Sequence, residues 1–171
     1  FVAVGLNHHT APVEARERLA MDSLQLPVHL SALLDQGLAE ESVILSTCNR
    51  VEIYALVREQ HPGTGIVSYM AGLQGVNNKK ARSHFFCHEG EAAVAHLFRV
   101  ASSLDSLVLG EPQILGQLKG AYFAAQEAQS VGLVLRRLMR QAISVGKRVR
   151  TVTRIGQEPV SVGTAGVDLA R

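Results

Sequence analysis

The sequence of 171 residues predicts an α+β fold in which a βαββαβ ferredoxin-like subdomain is followed by a helical subdomain. Up to residue 89, short β-prone runs alternate with helical segments in the order β-α-β-β-α-β, which is the order of the split βαβ arrangement. After Gly90 the apolar residues recur at helical spacing, and no further strand is predicted. We therefore expect a βαββαβ subdomain over 1–89, a helical subdomain over 90–154 and a linker over 155–171.

The first strand and the first helices are predicted from local signals. The apolar run 1–6 indicates a buried strand. Ala11-Pro12 leads into a helical segment over 13–20, whose charged residues supply an exposed side. A further helix, rich in leucine, is predicted to end at Gly37.

The next two strands flank a short polar segment. The runs 43–45 and 51–57 are apolar and β-prone, so we interpret them as neighbouring strands. Glu52 and Tyr54 are expected on the more solvent-exposed face of the second strand. Residues 46–50 are small or polar and include an asparagine, which tolerates turn conformations. This segment is therefore predicted to form the bend of a hairpin.

The remaining elements complete the order and continue as helices. A short helix is predicted over 66–73 and a last strand over 83–87. The next helix has its predicted apolar stripe at Val94, Leu97, Phe98 and Ala101. Glu111-Pro112 begins another helix, because proline suits the first turn and an acid suits the positive end of the helix dipole. A third helix is predicted from Leu133 toward Thr153.

Composition and charge exclude several classes of protein. Apolar residues make up 47% and charged residues 19%, as in ordinary globular proteins. The formal net charge of +2 permits an RNA partner without requiring one. The two cysteines, Cys48 and Cys87, form no Cys-x-x-Cys motif, which favours a reduced, cytoplasmic protein over a disulfide scaffold. Because no apolar stretch has the length of a membrane helix or the form of a signal peptide, we expect a soluble protein.

Cys48 lies in the middle of the predicted bend and is the candidate nucleophile. The permanent charge of Arg50 would favour a thiolate, and Thr47 and Asn49 add polar groups that could bind a substrate. A free cysteine is more often a small buried apolar residue, and this one has no histidine partner at a fixed spacing. The pattern alone therefore leaves both roles open.

Four separated segments resemble the signatures of one enzyme family. They are Gly5–Pro12, Leu45–Arg50, Leu104–Gln117 and Gly146–Arg150, which follow one another in the family's order. On these segments the chain is identified as a member of the glutamyl-tRNA reductases, and the resemblance covers nearly the whole sequence. Ser103 departs from the common pattern, which has glycine at this position.

The resemblance implies a reaction and the residues that perform it. The Cys48 thiolate attacks the ester carbonyl that joins glutamate to tRNA, and NADPH reduces the resulting thioester to glutamate-1-semialdehyde, the entry step of tetrapyrrole synthesis. Arg50 would bind the side-chain carboxylate of the substrate, since a guanidinium fork fits a carboxylate. The implied substrate-binding residues are Thr47, Asn49, Arg50, Ser106, Glu111, Pro112, Gln113 and Gln117. Ordinary helix initiation alone would also explain Glu111.

His96 is the second catalytic residue that the resemblance implies. Helical geometry places it on the side away from the predicted apolar stripe, so the pattern also allows an ordinary solvated histidine. A histidine at this place is thought important in the family. A neutral imidazole near the Cys48 thiol would polarise it or exchange a proton with the leaving hydroxyl.

The resemblance further implies partners and domains beyond this chain. The family carries a Rossmann-type NADPH domain and a helical dimerisation domain after this segment, so we interpret the chain as a fragment of a homodimeric, cytoplasmic enzyme. Glutamyl-tRNA is the expected substrate, and glutamate-1-semialdehyde aminomutase is the expected downstream partner. A fragment without the NADPH site is expected to retain acyl transfer and slow esterase activity, but not reduction.

Two other classes of function remain open. One stripe of the third helix is basic and fits either a solvated face or a non-catalytic RNA-binding module. It consists of Arg136, Arg140, Lys147, Arg150 and Arg154. A cysteine hydrolase is the other alternative, and it would need a dedicated general base and a path for water. Thiol alkylation would abolish either enzyme activity and spare the binding module.

Two further patterns resemble binding sites without predicting them. His84, Cys87 and His88 are close in sequence, but strand alternation sends Cys87 and His88 to opposite faces. Since zinc needs three or four converging ligands, no metal is expected. Gly63-Thr-Gly65 resembles the start of a dinucleotide fingerprint, but it lacks the third glycine and follows His-Pro. No cofactor site is therefore expected within this chain.

Overall fold

The structure, a computed structural model, is built on a four-stranded antiparallel sheet and describes residues 1–58, 63–73, 82–153 and 155. The strands are β1 (Val2–Asn7), β2 (Glu41–Ser46), β3 (Arg50–Leu56) and β4 (Phe86–Glu89). They lie in the order β2-β3-β1-β4, and every neighbouring pair is antiparallel. This is the ferredoxin-like order, so the predicted fold class is confirmed.

Six helices lie in the described ranges, some between the strands and the others after the last strand. They are α1 (Val13–Glu17), α2 (Gln25–Asp35), α3 (Thr64–Leu73), α4 (Gly90–Ala101), α5 (Gln113–Glu127) and α6 (Leu133–Val152). None of these helices is long and apolar enough to cross a membrane. The structure does not describe Arg154. Of the predicted linker over 155–171, it describes Ile155 alone.

Two boundaries differ from the prediction by three residues, more than any other boundary. The last strand begins at Phe86 and not at Ser83, because the Phe85 N–H donates to the Arg82 carbonyl at 3.2 Å and holds the preceding residues in a turn. The first helix ends at Glu17, before the predicted end, and Arg18 is its C-cap residue. Neither difference changes the order of the elements.

Helices cover both faces of the sheet. On one face, His96 of α4 contacts Glu52 of β3, and the N-terminus of α6 binds Glu41 of β2. Glu41 pairs with Leu56, which lies four positions after Glu52 in β3. Residues separated by an even number of positions in a strand share a face, so the two glutamates lie on the same face of the sheet. On the other face, Gly63 at the start of α3 lies against Cys87. The sheet is therefore the middle layer of the fold.

Both faces of β3 are consequently buried. Arg50, Glu52 and Tyr54 point toward α4, and each is at most 1% exposed. Val51 and Ile53 point toward the opposite layer and are 0% exposed. This corrects the prediction that Glu52 and Tyr54 face solvent. Their alternation with apolar residues identifies one face of the strand, but only the packing of α4 determines that this face is covered.

Glu41 fixes the N-terminus of α6 on the sheet. Its carboxylate accepts the N–H groups of Val134 at 3.2 Å and Leu135 at 2.7 Å, which places a negative charge at the positive end of the helix dipole. Gly132 makes this approach possible, because a Cβ at that position would collide with the carboxylate. Further along, Gly146 packs on the backbone at the end of α4. The helix is thus held against the fold along its length.

Candidate active site

The hairpin between β2 and β3 presents Cys48 at its tip. The Thr47 N–H donates to the Arg50 carbonyl at 2.8 Å and closes the turn. The Thr47 hydroxyl oxygen accepts the N–H groups of Asn49 and Arg50, both at 3.2 Å. These bonds satisfy the backbone of the bend locally and leave Cys48 as a free, exposed thiol. The predicted hairpin is confirmed.

A second loop is tied to this hairpin by Arg16. Its Nε donates to the Cys48 carbonyl at 3.2 Å, and its Nη1 donates to the Ala11 carbonyl at 2.7 Å. The Asn7 carboxamide oxygen accepts the His9 N–H at 2.9 Å and orders the start of the same loop. The segment after β1 therefore forms one side of the region around the cysteine.

A small cleft, open to solvent, lies beside Cys48. Its lining residues are Thr47, Cys48, Asn49, Arg50, Ser106, Leu107, Glu111, Gln113, Ile114 and Gln117. They come from the hairpin, from the loop after α4 and from the first turns of α5. The cleft thus contains every predicted site residue except His96 and Pro112, and it adds Leu107 and Ile114.

Arg50 is buried beneath the cleft and is already paired. Its Nη1 lies 2.8 Å from Glu52 Oε1 and 3.1 Å from Asp105 Oδ2, and its Nη2 donates to the Asp105 carbonyl. Burial would lower the pKa of Arg50, but the Glu52 carboxylate, the Tyr54 hydroxyl and Asp105 outweigh it, so the pKa is raised. The guanidinium therefore stays charged while it joins the hairpin to the loop after α4.

Glu52 is the centre of the buried polar network. It accepts a hydrogen bond from the Tyr54 hydroxyl at 2.5 Å, and its Oε2 lies 3.0 Å from His96 Nε2. Burial would raise the pKa of Glu52, but the contact with His96 and the charge of Arg50 outweigh it, so the pKa is lowered. Burial and the neighbouring Glu52 carboxylate raise the pKa of Tyr54 well above its usual value. The network therefore holds an ionised carboxylate in the core.

Gly5 makes room for this carboxylate. It lies opposite Glu52 in the pairing of β1 with β3, and a Cβ at Gly5 would collide with the Val51 carbonyl and with the Cα and Cγ of Glu52. A larger residue would therefore push the glutamate out of its position. The first of the four family segments thus begins with a residue that makes room for Glu52, the partner of Arg50 at the end of the second segment.

His96 is buried and does not line the cleft. It is 8% exposed, and its ring lies 4.9 Å from the Phe86 ring and 5.1 Å from the His88 ring. The pattern that allowed a solvated histidine misjudged the phase of α4. In the structure Val94 and Phe98 are the partly exposed residues, while His96 faces the sheet. Its hydrogen-bond partner is Glu52.

Asp105 and the two histidines after β1 were missed by the sequence reasoning. His9 Nε2 lies 3.8 Å from Asp105 Oδ1. Burial, His9 and the charge of Arg50 lower the pKa of His8, so its ring favours the neutral form. All three residues lie inside the segments that carry the family resemblance. A search of those segments for charge partners of Arg50 would have found Asp105.

Ser103, the position where the family pattern is expected to have glycine, adopts a backbone conformation that suits glycine. Its φ is 60°, in the left-handed region that glycine adopts freely and serine rarely does. The Ser103 hydroxyl donates to the Glu111 carbonyl at 2.9 Å, and its carbonyl accepts the Gly110 N–H at 3.1 Å. The departure therefore keeps the backbone conformation suited to glycine and closes the loop that carries Asp105 and Ser106.

The polar network also has the ligand types of a metal site, and Arg50 already occupies it. Ligand atoms of Glu52, His96 and Asp105 all lie within 4.8 Å of one another. The Arg50 guanidinium lies between the two carboxylates, so a cation is in place and the arrangement fits an ion pair. Cys87 and His88 point to opposite faces of β4, toward Gly63 and toward His96, as strand alternation predicted.

The described residues do not form a dinucleotide cradle at Gly63–Gly65. Gly63 is buried against the Cys87 side chain, so its backbone is closed to a phosphate group. Gly65 lies within α3, so it is not part of a glycine-rich loop between a strand and a helix. The residues at this position therefore do not fit NADPH.

The fold and the cleft define a class of protein, namely a ferredoxin-like α+β domain that presents an exposed cysteine to a polar cleft. The profile of the family described as glutamyl-tRNAGlu reductase, N-terminal domain, matches residues 4–153. The chain belongs to this family. The resemblance carried by the four sequence segments is thereby confirmed.

Relatives and a solved structure are consistent with this membership. Glutamyl-tRNA reductase from Geobacter metallireducens is 48% identical over 171 residues, which cover 99% of this chain and 39% of that protein. The enzyme from Pseudomonas syringae pv. syringae is 48% identical over 172 residues, with 100% and 40% covered. The structure of glutamyl-tRNA reductase from Methanopyrus kandleri matches with a TM-score of 0.78 and 35% identity, covering 99% of this chain and 39% of that one. The chain spans about two fifths of the length of these relatives.

Proposed function

We propose that this chain performs the glutamyl-transfer step of a glutamyl-tRNA reductase. Cys48 Sγ attacks the carbonyl carbon of the ester between glutamate and the terminal ribose of tRNA. The S–C bond forms, the C–O bond to the ribose breaks, the thiol proton ends on the ribose hydroxyl, and a glutamyl thioester remains on the protein. The exposure of Cys48 at a cleft lined by the predicted polar residues carries this proposal.

The chemistry of the cleft fits an aminoacyl ester. An ester is already activated, so a thiolate is a sufficient nucleophile for this step. Hydroxyl and carboxamide groups of Thr47, Asn49, Gln113 and Gln117 line the cleft, and they are suited to the polar groups of an amino acid. Glu111 adds a carboxylate that would attract the substrate's ammonium group.

Arg50 would contact the side-chain carboxylate of the glutamyl group. A guanidinium has five N–H groups, and three of them take part in the contacts with Glu52 and Asp105 in the described part of the chain. Arg50 also lines the cleft, and we propose that its remaining N–H groups bind the substrate carboxylate there. The two acidic partners hold the fork in one orientation.

Arg50→Lys is expected to reduce the rate of glutamyl transfer about tenfold or more. Lysine keeps the charge and loses the planar fork, and a lost charge-assisted hydrogen bond contributes roughly 1.5–3 kcal/mol. The measurement is the rate of adduct formation on protein shown to be folded by circular dichroism. Arg58→Lys is the matched control, since Arg58 forms an exposed pair with Glu40. A wild-type rate in Arg50→Lys would show that Arg50 has a structural role only.

His96 would act on this site by positioning. Its Nε2 contacts Glu52, and Glu52 in turn orients Arg50. Direct proton exchange between His96 and the Cys48 thiol, the role that the resemblance implied, stays a prediction. The contact with Glu52 supports a role in holding the arginine. Pro112 lies outside the cleft and would act by starting α5, which carries Gln113 and Gln117.

The reduction step belongs to residues outside the described ones. The name of the relatives implies a hydride donor, and we propose that NADPH is held by a domain beyond this chain, in a homodimeric cytoplasmic enzyme. The divisions 1–89 and 90–154 stand as proposed subdomains of one catalytic unit. The product aldehyde would pass to glutamate-1-semialdehyde aminomutase.

Intact-mass measurement of the chain after mixing with glutamyl-tRNA tests the proposal. We expect a glutamyl adduct on the peptide that contains Cys48, followed by slow release of free glutamate with or without NADPH, because the exposed thioester is open to water. Glutamyl-tRNA that stays intact, with no adduct on the protein, would contradict the proposal. Semialdehyde formed by this chain alone would contradict the assignment of NADPH to another domain.

A non-catalytic RNA-binding module is the second candidate function. The cations of α6 favour it, since they would hold RNA without any chemistry at the cleft. Alkylation of Cys48 distinguishes the two functions, because it blocks glutamyl transfer and leaves RNA binding unchanged.

A further inference from the structure

Helix α6 carries an excess of positive charge. Its 20 residues include six lysines and arginines and no aspartate or glutamate. The cations are Arg136, Arg137, Arg140, Lys147, Arg148 and Arg150. Within the residues that the structure describes, none of the six forms an ion pair with an acidic side chain. Uncompensated charges at i, i+4 spacing repel one another and oppose helix formation.

Four of these cations form one row along the helix, which we call the α6 row. It consists of Arg136, Arg140, Lys147 and Arg150. The buried residues of α6 are Leu135, Met139, Ala142 and Gly146, which lie about a quarter turn around the helix from the row, so the packing of α6 fixes the direction of the row. Arg136, Arg140 and Lys147 are exposed, and Arg150 is half-buried. The row spans about 21 Å at the rise of an α-helix.

The row begins at the rim of the cleft. Arg150 Nη1 donates to the Pro112 carbonyl at 3.1 Å, and Pro112 stands between Glu111 and Gln113, which both line the cleft. One turn earlier, Gly146 packs within reach of Leu115 in α5. The cations therefore extend from the mouth of the candidate active site outward along one edge of the fold.

We propose that the α6 row binds backbone phosphates of the acceptor end of tRNA and directs the 3′-terminal ester into the cleft. This inference rests on the proposed glutamyl transfer. The ester is attached to the last ribose, so the preceding phosphates must leave the cleft at its rim. A line of cations that starts at that rim and continues as three exposed side chains matches the charge of a nucleic-acid strand. The row gives affinity and orientation, while the cleft recognises the glutamyl group.

The test compares two triple variants with the same loss of charge. The row variant is Arg136→Gln with Arg140→Gln and Lys147→Gln, and Arg150 is left intact because it bonds to Pro112. The control variant is Arg58→Gln with Arg99→Gln and Lys119→Gln, all exposed and outside the row. Adduct formation on Cys48 is followed with glutamyl-tRNA and with a small α-ester of glutamate, between 50 and 200 mM salt.

At about 100 mM salt, the rate of transfer from glutamyl-tRNA is expected to fall tenfold or more in the row variant. The slope of log K against log salt concentration, measured for the binding of uncharged tRNA, should decrease in magnitude by roughly 2–3. Transfer from the small ester should equal that of the wild type, as should both reactions of the control variant. A row variant that matches the control variant with tRNA overturns the inference. Equal losses with both esters would also overturn it, because they would indicate a damaged cleft.

Failure of the proposed function gives a different result. If the wild type forms no adduct with either ester, glutamyl transfer is refuted, and the binding of uncharged tRNA still tests the row. Equal affinity of the row for tRNA and for vesicles of anionic phospholipid would show a non-specific polyanion surface, which also overturns the inference.

Discussion

Cys48→Ser is expected to eliminate the covalent glutamyl adduct. A serine hydroxyl is almost entirely protonated at neutral pH, and it becomes a nucleophile only when an adjacent general base activates it. The substitution should leave the fold intact, because Cys48 is exposed and the hairpin is closed by bonds of Thr47 and Arg50. Intact-mass spectrometry after mixing with glutamyl-tRNA measures the loss, which should be complete within detection.

Cys87→Ser is the matched control for this experiment. Cys87 is also a free, exposed cysteine, but it lies against Gly63 on the opposite face of the sheet. Burial and the Glu89 carboxylate raise the pKa of the Cys87 thiol, so it is a weak nucleophile at neutral pH. We expect this variant to keep the adduct. A similar loss in both variants would refute Cys48 as the nucleophile.

Glu52→Gln is expected to lower the free energy of unfolding by about 3–5 kcal/mol, the usual cost of breaking a buried ion pair by removing one partner. Glutamine keeps the shape of Glu52 but leaves the buried Arg50 with Asp105 as its acidic partner among the described residues. Urea denaturation measures the change. Glu40→Gln is the matched control, since it breaks the exposed pair with Arg58 and should cost at most about 1 kcal/mol. Equal costs would show that the buried network adds no stability.

The contribution of Glu52 to the free energy of unfolding should decrease as the pH falls. Its pKa is lower in the folded state, because the contact with His96 and the charge of Arg50 outweigh burial. A lowered folded-state pKa contributes stability above the unfolded value, near 4.3, and this contribution is lost as the pH falls through the folded value. The difference between wild type and Glu52→Gln should therefore shrink in acid. A difference that stays constant from pH 7 to pH 3 would contradict this linkage.

Local patterns were sufficient to predict the strand order and the hairpin. Alternating apolar residues specify β3, and the short polar segment before it specifies a bend that Thr47 closes with its own neighbours. These interactions join residues within a few positions of one another, so they can be found in the sequence. The same holds for the start of α5 at Pro112.

The buried network could not be predicted in the same way. Arg50 and Glu52 are two residues apart, but Asp105 and His96 reach them from later segments of the chain. Their positions depend on how α4 packs on the sheet. A small error in the predicted orientation of that helix around its axis was enough to assign the buried His96 to the exposed side. The alternation of residues in the sequence predicted the polar face of β3. The burial of that face depends on the packing of α4 and could not be predicted from the strand alone.

The two contacts of Arg50 with Asp105 have a consequence for the entropy of substrate binding. They join the hairpin that carries Cys48 to the loop that carries Ser106, so both walls of the cleft are set when the protein folds. Ordering those walls is then part of the folding reaction. An arriving ester needs to lose only its own conformational freedom, which favours affinity for a ligand with several rotatable bonds.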